Sequence, residues 1–220
     1  MTFRAAWLVL LMFAVVERAI AQSWPDTVQG RQAAAAALLR FEAELDASDS
    51  ATLVLGRWCA DHAMATPPSI QAVRDRALDK PADRTVRRLL RAGQGEVLRY
   101  RRVRLACGSH VLSEADNWYR PARLTADMNS RLETTDTPFG VVVRDLKFHR
   151  RTLDVRWLFH PLEARPRRGA GGLLAIPHAV LRHRAVLADG EGAPFSLVVE
   201  TYTGEVLAFE AQPPAFAVSR

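Results

Sequence analysis

The sequence lacks the short motifs that mark the common nucleotide-binding and hydrolytic enzymes. It contains no Walker loop, no dinucleotide fingerprint, no HExxH pair and no GxSxG elbow. A phosphate-binding loop, a zinc peptidase helix and a hydrolase nucleophile each need one of these patterns, so these enzyme classes have no anchor in this chain. No internal repeat is evident, which gives no support to a solenoid or a propeller.

Cysteine is scarce, since Cys59 and Cys107 are the two in the chain. They form no CxxC pair and no cysteine–histidine grouping of the zinc type. In an oxidising compartment they can form one disulfide. Because Cys59 is expected on a helix and Cys107 at a strand end, the sequence leaves open both a disulfide and two separately buried thiols.

One long apolar run occurs, at the N-terminus, and it is too short to cross a bilayer. Residues 5–16 are apolar, whereas a membrane span needs about 20 residues. Arg4 precedes the run, and Ala19-Ile20-Ala21 offers a cleavage site before Gln22. We expect residues 1–21 to be a cleaved secretory signal and residues 22–220 to be periplasmic or secreted without a stable membrane span. A buried first helix or a membrane anchor is the alternative.

The composition fits one ordinary globular domain. The 220 residues are 49% hydrophobic and 25% charged, which is enough apolar material for a full core. The net charge of +6 comes mainly from arginine, with no compact basic run and no nucleic-acid-binding motif. The basic balance therefore favours anionic ligands or an anionic envelope surface as partners, and not nucleic acid.

Periodicity predicts helices in the first half of the chain and paired strands in the second. Helical spacing and N-cap residues predict helices at 31–46, from Asp49-Ser50 through Cys59, after Asp83 and at 125–132. Alternation predicts strands at 69–74, 153–157, 179–188 and 194–207. This order indicates an α+β fold in which helices pack on one mostly antiparallel sheet.

The segment from Val97 to Pro121 predicts a long hairpin with its turn at Gly108-Ser109. Alternation places Arg101 on the same face as Val103 and Leu105. A guanidinium on this drier face must find an anion or carry a desolvation cost. A structural carboxylate, or solvent at the strand end, is the alternative to a ligand.

Glu200 is the second unusual position, because it lies inside the apolar strand FSLVVETY. Val198 and Tyr202 share its face, which makes the carboxylate a candidate for desolvation. A salt bridge to an arginine of a neighbouring strand, such as Arg182 or Arg184, is the alternative. His178 and His183 are spaced poorly for a helical ligand pair and are expected on the surface.

Four of these segments occur in the order of the motifs of one family. They are Asp49-Ser50-Ala51-Thr52, Arg101 to Leu105 with the strand ending at Pro121, Thr137-Pro138-Phe139-Gly140, and Leu197 to Thr201. Through this ordered set, residues 41–209 resemble chorismate lyase and its wider fold, which also contains effector-binding domains of some transcriptional regulators. The resemblance implies a single domain on an antiparallel sheet of about six strands. It also implies an enclosed small aromatic carboxylate and no metal or organic cofactor. We expect a monomer or weak oligomer.

Enzymes of that family eliminate pyruvate from chorismate and leave 4-hydroxybenzoate. Carried over by position, Arg101 would hold a carboxylate of the substrate, and Glu200 would act at the ether or phenol oxygen as an acid or hydrogen-bond partner. A non-catalytic exported protein that binds a small aromatic carboxylate is the alternative.

The chain departs from the family at the second strand of the hairpin, where Gly-Arg-Thr is replaced by residues 114–119. A second ligand-binding arginine is therefore missing, or its place is taken by Arg120. The register leaves Arg102 as an alternative to Arg101. Besides the catalytic candidates Arg101 and Glu200, the expected ligand-binding residues are Arg102, Asn117, Trp118, Arg120, Phe139 and Gly140.

Overall fold

The computed structural model describes residues 24–163 and 172–209. Within these residues one six-stranded antiparallel sheet has the strand order β1-β2-β3-β6-β5-β4. The strands are β1 (Ile70–Asp75), β2 (Arg99–Cys107), β3 (His110–Tyr119), β4 (His149–Trp157), β5 (Ala179–Ala188) and β6 (Pro194–Thr203). The helices are α1 (Val28–Asp46), α2 (Ala51–Asp61), α3 (Arg84–Leu89), α4 (Ala126–Thr134) and α5 (Phe139–Val142). The predicted α+β fold on one antiparallel sheet is confirmed, while the expected signal segment lies outside the described residues.

The helices begin where short polar side chains satisfy the first backbone N–H groups. Ser50 accepts a hydrogen bond from the N–H of Leu53, and Asp83 accepts one from the N–H of Val86. Thr125 caps α4 in the same way. These three caps are the ones that the sequence predicts.

Most of the core lies on one face of the sheet, which we call the inner face. Phe41 of α1 is buried there against Trp58 of α2 and Tyr202 of β6. The opposite face, the outer face, is covered at one end by α3, whose Val86 packs in a cluster with Trp118. A cavity between strands and helices is therefore expected on the inner face.

Cys59 of α2 and Cys107 of β2 form a disulfide, with their Cα atoms 6.1 Å apart. The bond ties the helix layer to the hairpin, and it resolves the two possibilities that the sequence leaves open. In the described part of the chain, no helix has the length and apolarity needed to cross a membrane.

Candidate functional site

A cavity lies between the inner face of the sheet, the first residues of α2 and the start of α5. Its empty volume, which includes solvent space at its mouth, is about 520 Å³. Its polar lining residues are Asp49, Ser50, Thr52, Arg101, Asn117, Arg150 and Glu200, and its apolar ones are Ala51, Val103, Leu105, Ala115, Phe139, Phe148, Leu187 and Val198, with Gly140 at its edge. The cavity thus combines apolar walls with a few convergent charged groups.

Arg101 is the most unusual group in the cavity. Its side chain is 1% exposed, and its Nε and Nη2 atoms are buried without an acceptor among the described residues. Burial, together with the nearby Arg74, lowers the pKa of Arg101 to about 10. The group is therefore still a cation at neutral pH, and its donors face no protein carboxylate.

The two open donors of Arg101 form one edge of the guanidinium, which matches a carboxylate in a bidentate contact. Glu133 is the carboxylate whose charge acts on the pKa of Arg101. Its oxygens, however, already bind Arg74 at 2.7 Å and Arg99 at 3.0 Å. The sequence-based alternatives for Arg101, a structural carboxylate or solvent, are therefore both absent from the described structure.

Glu200 lies on the inner face of β6, diagonally across the sheet from Arg101. Its Oε2 atom accepts hydrogen bonds from Arg150 Nη2 at 2.6 Å and from the Tyr202 hydroxyl at 3.3 Å. Burial raises the pKa of Tyr202 well above its usual range, so this hydroxyl stays protonated as a donor. Both Arg150 and Glu200 are almost completely buried. Glu200 therefore forms a salt bridge with an arginine of the sheet, which is the alternative that the sequence offers. Its partner is Arg150 of β4, whereas the side chains of Arg182 and Arg184 lie on the outer face of β5.

Arg150 reaches this position because β4 contains a bulge. Thr152 pairs with Ala185, whereas Asp154 pairs with Arg184, which leaves Leu153 as an extra residue. The extra residue reverses the alternation of side chains between the two faces of the sheet. Arg150, at an even-numbered position before the bulge, therefore points to the inner face, as do the odd-numbered apolar residues Val155 and Trp157 after it. Ala185 lies on β5 between Arg150 and Glu200, and its small side chain leaves room for the ion pair.

The start of α2 closes the cavity next to this pair. Asp49 Oδ1 accepts a hydrogen bond of 2.7 Å from the backbone N–H of Arg150. Gly140 approaches α2 so closely that a Cβ atom would lie 3.0 Å from Ser50 Oγ and 3.2 Å from Thr52 Oγ1. A side chain at Gly140 would therefore require the side chains of Ser50 and Thr52 to shift by a few tenths of an ångström.

His183 differs from its prediction. It is fully buried on the inner face of β5, next to Glu200 in register and against the ring of Tyr202. Neither ring nitrogen has a hydrogen-bond partner among the described residues. Burial, and then the charge of Arg150, lowers its pKa, so the imidazole is neutral. His178 is on the surface as expected.

The structure brings together five of the eight predicted site residues and leaves three elsewhere. Arg101, Asn117, Phe139, Gly140 and Glu200 line the cavity. Arg102 is on the outer face, paired with Glu114 and Asp116 at 3.0 Å each.

Trp118 is also on the outer face, because it follows Asn117 directly in a strand and must point the other way. Arg120 lies beyond the end of β3 and holds Glu96. The second arginine of the cavity is thus Arg150 and not Arg120, and the register selects Arg101 over Arg102.

The cavity offers little to a metal ion. Across residues 24–163 and 172–209, no group of three or more histidine, cysteine, aspartate or glutamate side chains could hold one. Its charged side chains are two arginines, one buried carboxylate and Asp49 at the edge.

Comparison with known proteins places the chain in a family. No protein-family model matches it. Over 197 residues it is 48% identical to the uncharacterized protein y4mC of Sinorhizobium fredii (strain NBRC 101917 / NGR234), which covers 86% of this chain and 83% of that protein. The chain belongs to the y4mC family. Because y4mC is uncharacterized, membership in the y4mC family assigns no activity.

Solved structures are similar to the chain only at a distance. PhnF from Mycobacterium smegmatis matches 67% of this chain at 15% identity and a TM-score of 0.43. YydK from Bacillus subtilis, a possible transcriptional regulator, matches 66% of this chain at 15% identity and a TM-score of 0.40. The chain spans 64% of PhnF and 61% of YydK. It spans 90% of the separate PhnF effector domain, with 14% identity and a TM-score of 0.43. At these scores the similarities say nothing further about the activity of this chain.

Proposed function

We propose that the protein binds a small aromatic carboxylate in the cavity beneath α2. The observation that carries this proposal is Arg101, a buried cation whose Nε and Nη2 donors have no acceptor in the described chain. An unpaired buried charge is costly to keep, and a ligand carboxylate would supply both missing hydrogen bonds. The same cation also agrees with the resemblance to the chorismate lyase-like fold.

The walls and floor of the cavity indicate the rest of the ligand. Phe139, Phe148 and Val198 provide an apolar surface suited to a ring. Glu200 uses Oε2 for both of its hydrogen bonds from the described residues, which leaves Oε1 as an acceptor. A hydroxyl group on the ligand would satisfy it, so a hydroxylated aromatic acid fits the two ends of the cavity.

Binding of 4-hydroxybenzoate, followed by calorimetry, tests this proposal. Arg101→Gln should weaken binding on the order of 100-fold or more, because two charge-assisted hydrogen bonds are lost. Arg104→Gln is the matched control, since it removes the same charge from an exposed position of the same strand. The uncharged methyl ester should also bind poorly. Equal affinities in the two variants would contradict the assignment of Arg101.

A second candidate function is elimination of pyruvate from chorismate or a related enolpyruvyl acid. The observation that favours it is the Glu200 group, a carboxylate with fixed partners on the same face as Arg101. In this reaction the bond between ring carbon and ether oxygen breaks, the ring loses a proton, and the released enolpyruvate takes up a proton to become pyruvate. Glu200, whose Oε2 is bound by Arg150 and whose Oε1 is open, would accept the ring proton.

Release of pyruvate from chorismate, followed in a coupled assay, separates catalysis from binding. Catalysis predicts a rate above the spontaneous one that falls on the order of 100-fold or more in Glu200→Gln. Glu114→Gln is the control, because this carboxylate lies on the outer face. Binding of the ligand without release of pyruvate would leave the binding function and rule out the lyase.

We further propose that the protein acts outside the cytoplasm. The Cys59–Cys107 disulfide supports this location, because such bonds persist in oxidising compartments. The apolar run of residues 5–16 before Ala21 supports it from the sequence. N-terminal sequencing of the protein from the periplasmic fraction should start at Gln22, and recovery of uncleaved protein with free thiols in the cytoplasm would contradict export.

A further inference from the structure

The outer face of the sheet carries a dense group of arginines where α3 does not cover it. Arg151 and Arg156 of β4 and Arg182 and Arg184 of β5 are all exposed. They lie on the outer face, because their positions alternate with the buried inner-face residues of the same strands. We call these four residues the arginine face.

The protein itself neutralises little of this charge. Asp154 is the one acidic side chain of β4 and β5, and it binds Arg156 Nε at 2.9 Å. Arg182 donates to the hydroxyl of Thr201, while Arg151 and Arg184 have no ion pair within the described residues. Four cations against one anion leave a clear positive excess on this part of the surface.

The register of β4 and β5 makes this arrangement unfavourable for the sheet alone. Arg156 and Arg182 are directly paired across the two strands. Like charges in this position repel each other and destabilise the pairing. The Asp154–Arg156 pair relieves part of that repulsion, and an external anion would relieve the rest.

The shape of the surface indicates which anionic partner fits. Within the described residues, the arginine face consists of paired strands and projects no helix or ribbon that could enter a groove of duplex nucleic acid. Single-stranded nucleic acid needs exposed aromatic rings for stacking. On the outer face Trp118 is 4% exposed, and the half-buried Tyr100 packs against it with its hydroxyl bound to Asp116. A bilayer with anionic headgroups, by contrast, presents charge in a plane. Leu158, two residues after Arg156, is 39% exposed and adds an apolar contact at the same edge.

We propose that the arginine face docks the protein on an anionic phospholipid surface. Each arginine near such a surface contributes roughly a fivefold gain in binding at low salt, which is screened as salt rises. This inference rests on the outer face, and so it does not depend on the ligand of the cavity.

Co-sedimentation of the full chain with lipid vesicles tests the proposal. The chain should bind vesicles that contain phosphatidylglycerol in preference to pure phosphatidylcholine, and the double variant Arg182→Gln/Arg184→Gln should bind the anionic vesicles roughly 20- to 30-fold more weakly. Arg57→Gln/Arg144→Gln is the matched control, because it removes the same charge from exposed positions away from the outer face. Pure phosphatidylcholine measures any binding through the apolar run of residues 5–16.

Three results would overturn the proposal. They are equal binding to neutral and anionic vesicles, an equal loss in the two double variants, and binding to an oligonucleotide without binding to anionic vesicles. Thermal unfolding of the variants provides a check on folding. Arg182→Gln should be at least as stable as the unchanged protein, because it removes the repulsion with Arg156.

Discussion

Arg101 and Arg120 present the same edge of the guanidinium in two regions of the hairpin, and only one of them is occupied. Arg120 Nε and Nη2 bind the two oxygens of Glu96 at 2.7 and 3.0 Å, and its Nη1 binds the carbonyls of Leu90 and Pro194. Arg101 Nε and Nη2 have no acceptor in the described structure. Arg101 is also the more deeply buried of the two.

The difference shows that Arg120 is a structural residue with partners in the chain, whereas Arg101 is buried without such partners. Around Arg120 the chain supplies a carboxylate and two carbonyls, so the residue cross-links the segment after α3 to the end of β3. Around Arg101 the chain supplies apolar residues, Arg74, and a glutamate, Glu133, whose oxygens already bind Arg74 and Arg99, so the partner of Arg101 is expected from outside. A buried group that the fold leaves unsatisfied is where a functional site is expected, because stability alone would not retain it.

The largest stability effect is expected at Arg120. Arg120→Gln removes the bidentate contact and leaves Glu96 without its partner, which should lower the free energy of unfolding by about 3 kcal/mol. Affinity for a cavity ligand should stay the same, because Arg120 lies outside the cavity. Urea unfolding and calorimetry measure the two quantities. A variant that loses affinity but not stability would reverse the roles of the two arginines.

The opposite effect is expected at Arg101. Arg101→Met replaces an unpaired buried cation with an apolar side chain of similar length, which should raise the free energy of unfolding by about 2 kcal/mol while ligand binding is lost. Arg104→Met, on the exposed side of the same strand, should change stability by less than about 0.5 kcal/mol. A clear destabilisation by Arg101→Met would mean that the fold itself needs this charge.

Local alternation is sufficient to predict the first half of the site. It places Arg101 with Val103 and Leu105, and Glu200 with Val198 and Tyr202, and all of these side chains are on the inner face. The same rule excludes Asn117 and Trp118 from one pocket, since neighbours in a strand point to opposite faces. The prediction of Trp118 in the site rests only on its position relative to the family motif.

The remaining site residues depend on features that alternation does not reveal. The apolar residues Leu153, Val155 and Trp157 predict that Arg150 points to solvent, and the bulge after Thr152 reverses this. Nothing in the local pattern indicates a bulge, because the extra residue is visible only against the neighbouring strand. His183 could have been predicted, because Leu181 and Ala185 flank it on its own face and both are buried.

His183 extends the comparison to a buried group that can lose its charge. Arg101 keeps its proton at neutral pH despite burial, whereas burial lowers the pKa of His183 and leaves the ring neutral. The unfolded chain therefore binds a proton at this position at a higher pH than the folded chain does. By linkage, the free energy of unfolding should fall as pH decreases from the ordinary histidine pKa of about 6.5 towards the pKa of the folded state, by up to about 1.4 kcal/mol per pH unit.

Urea unfolding of the protein and of His183→Leu measures this effect. The difference between their free energies of unfolding should be constant above that pH range and should change within it. If this difference stays constant with pH, His183 is protonated to the same extent in the folded and the unfolded chain. Another group would then compensate for the effects of burial and of Arg150 on the pKa of His183.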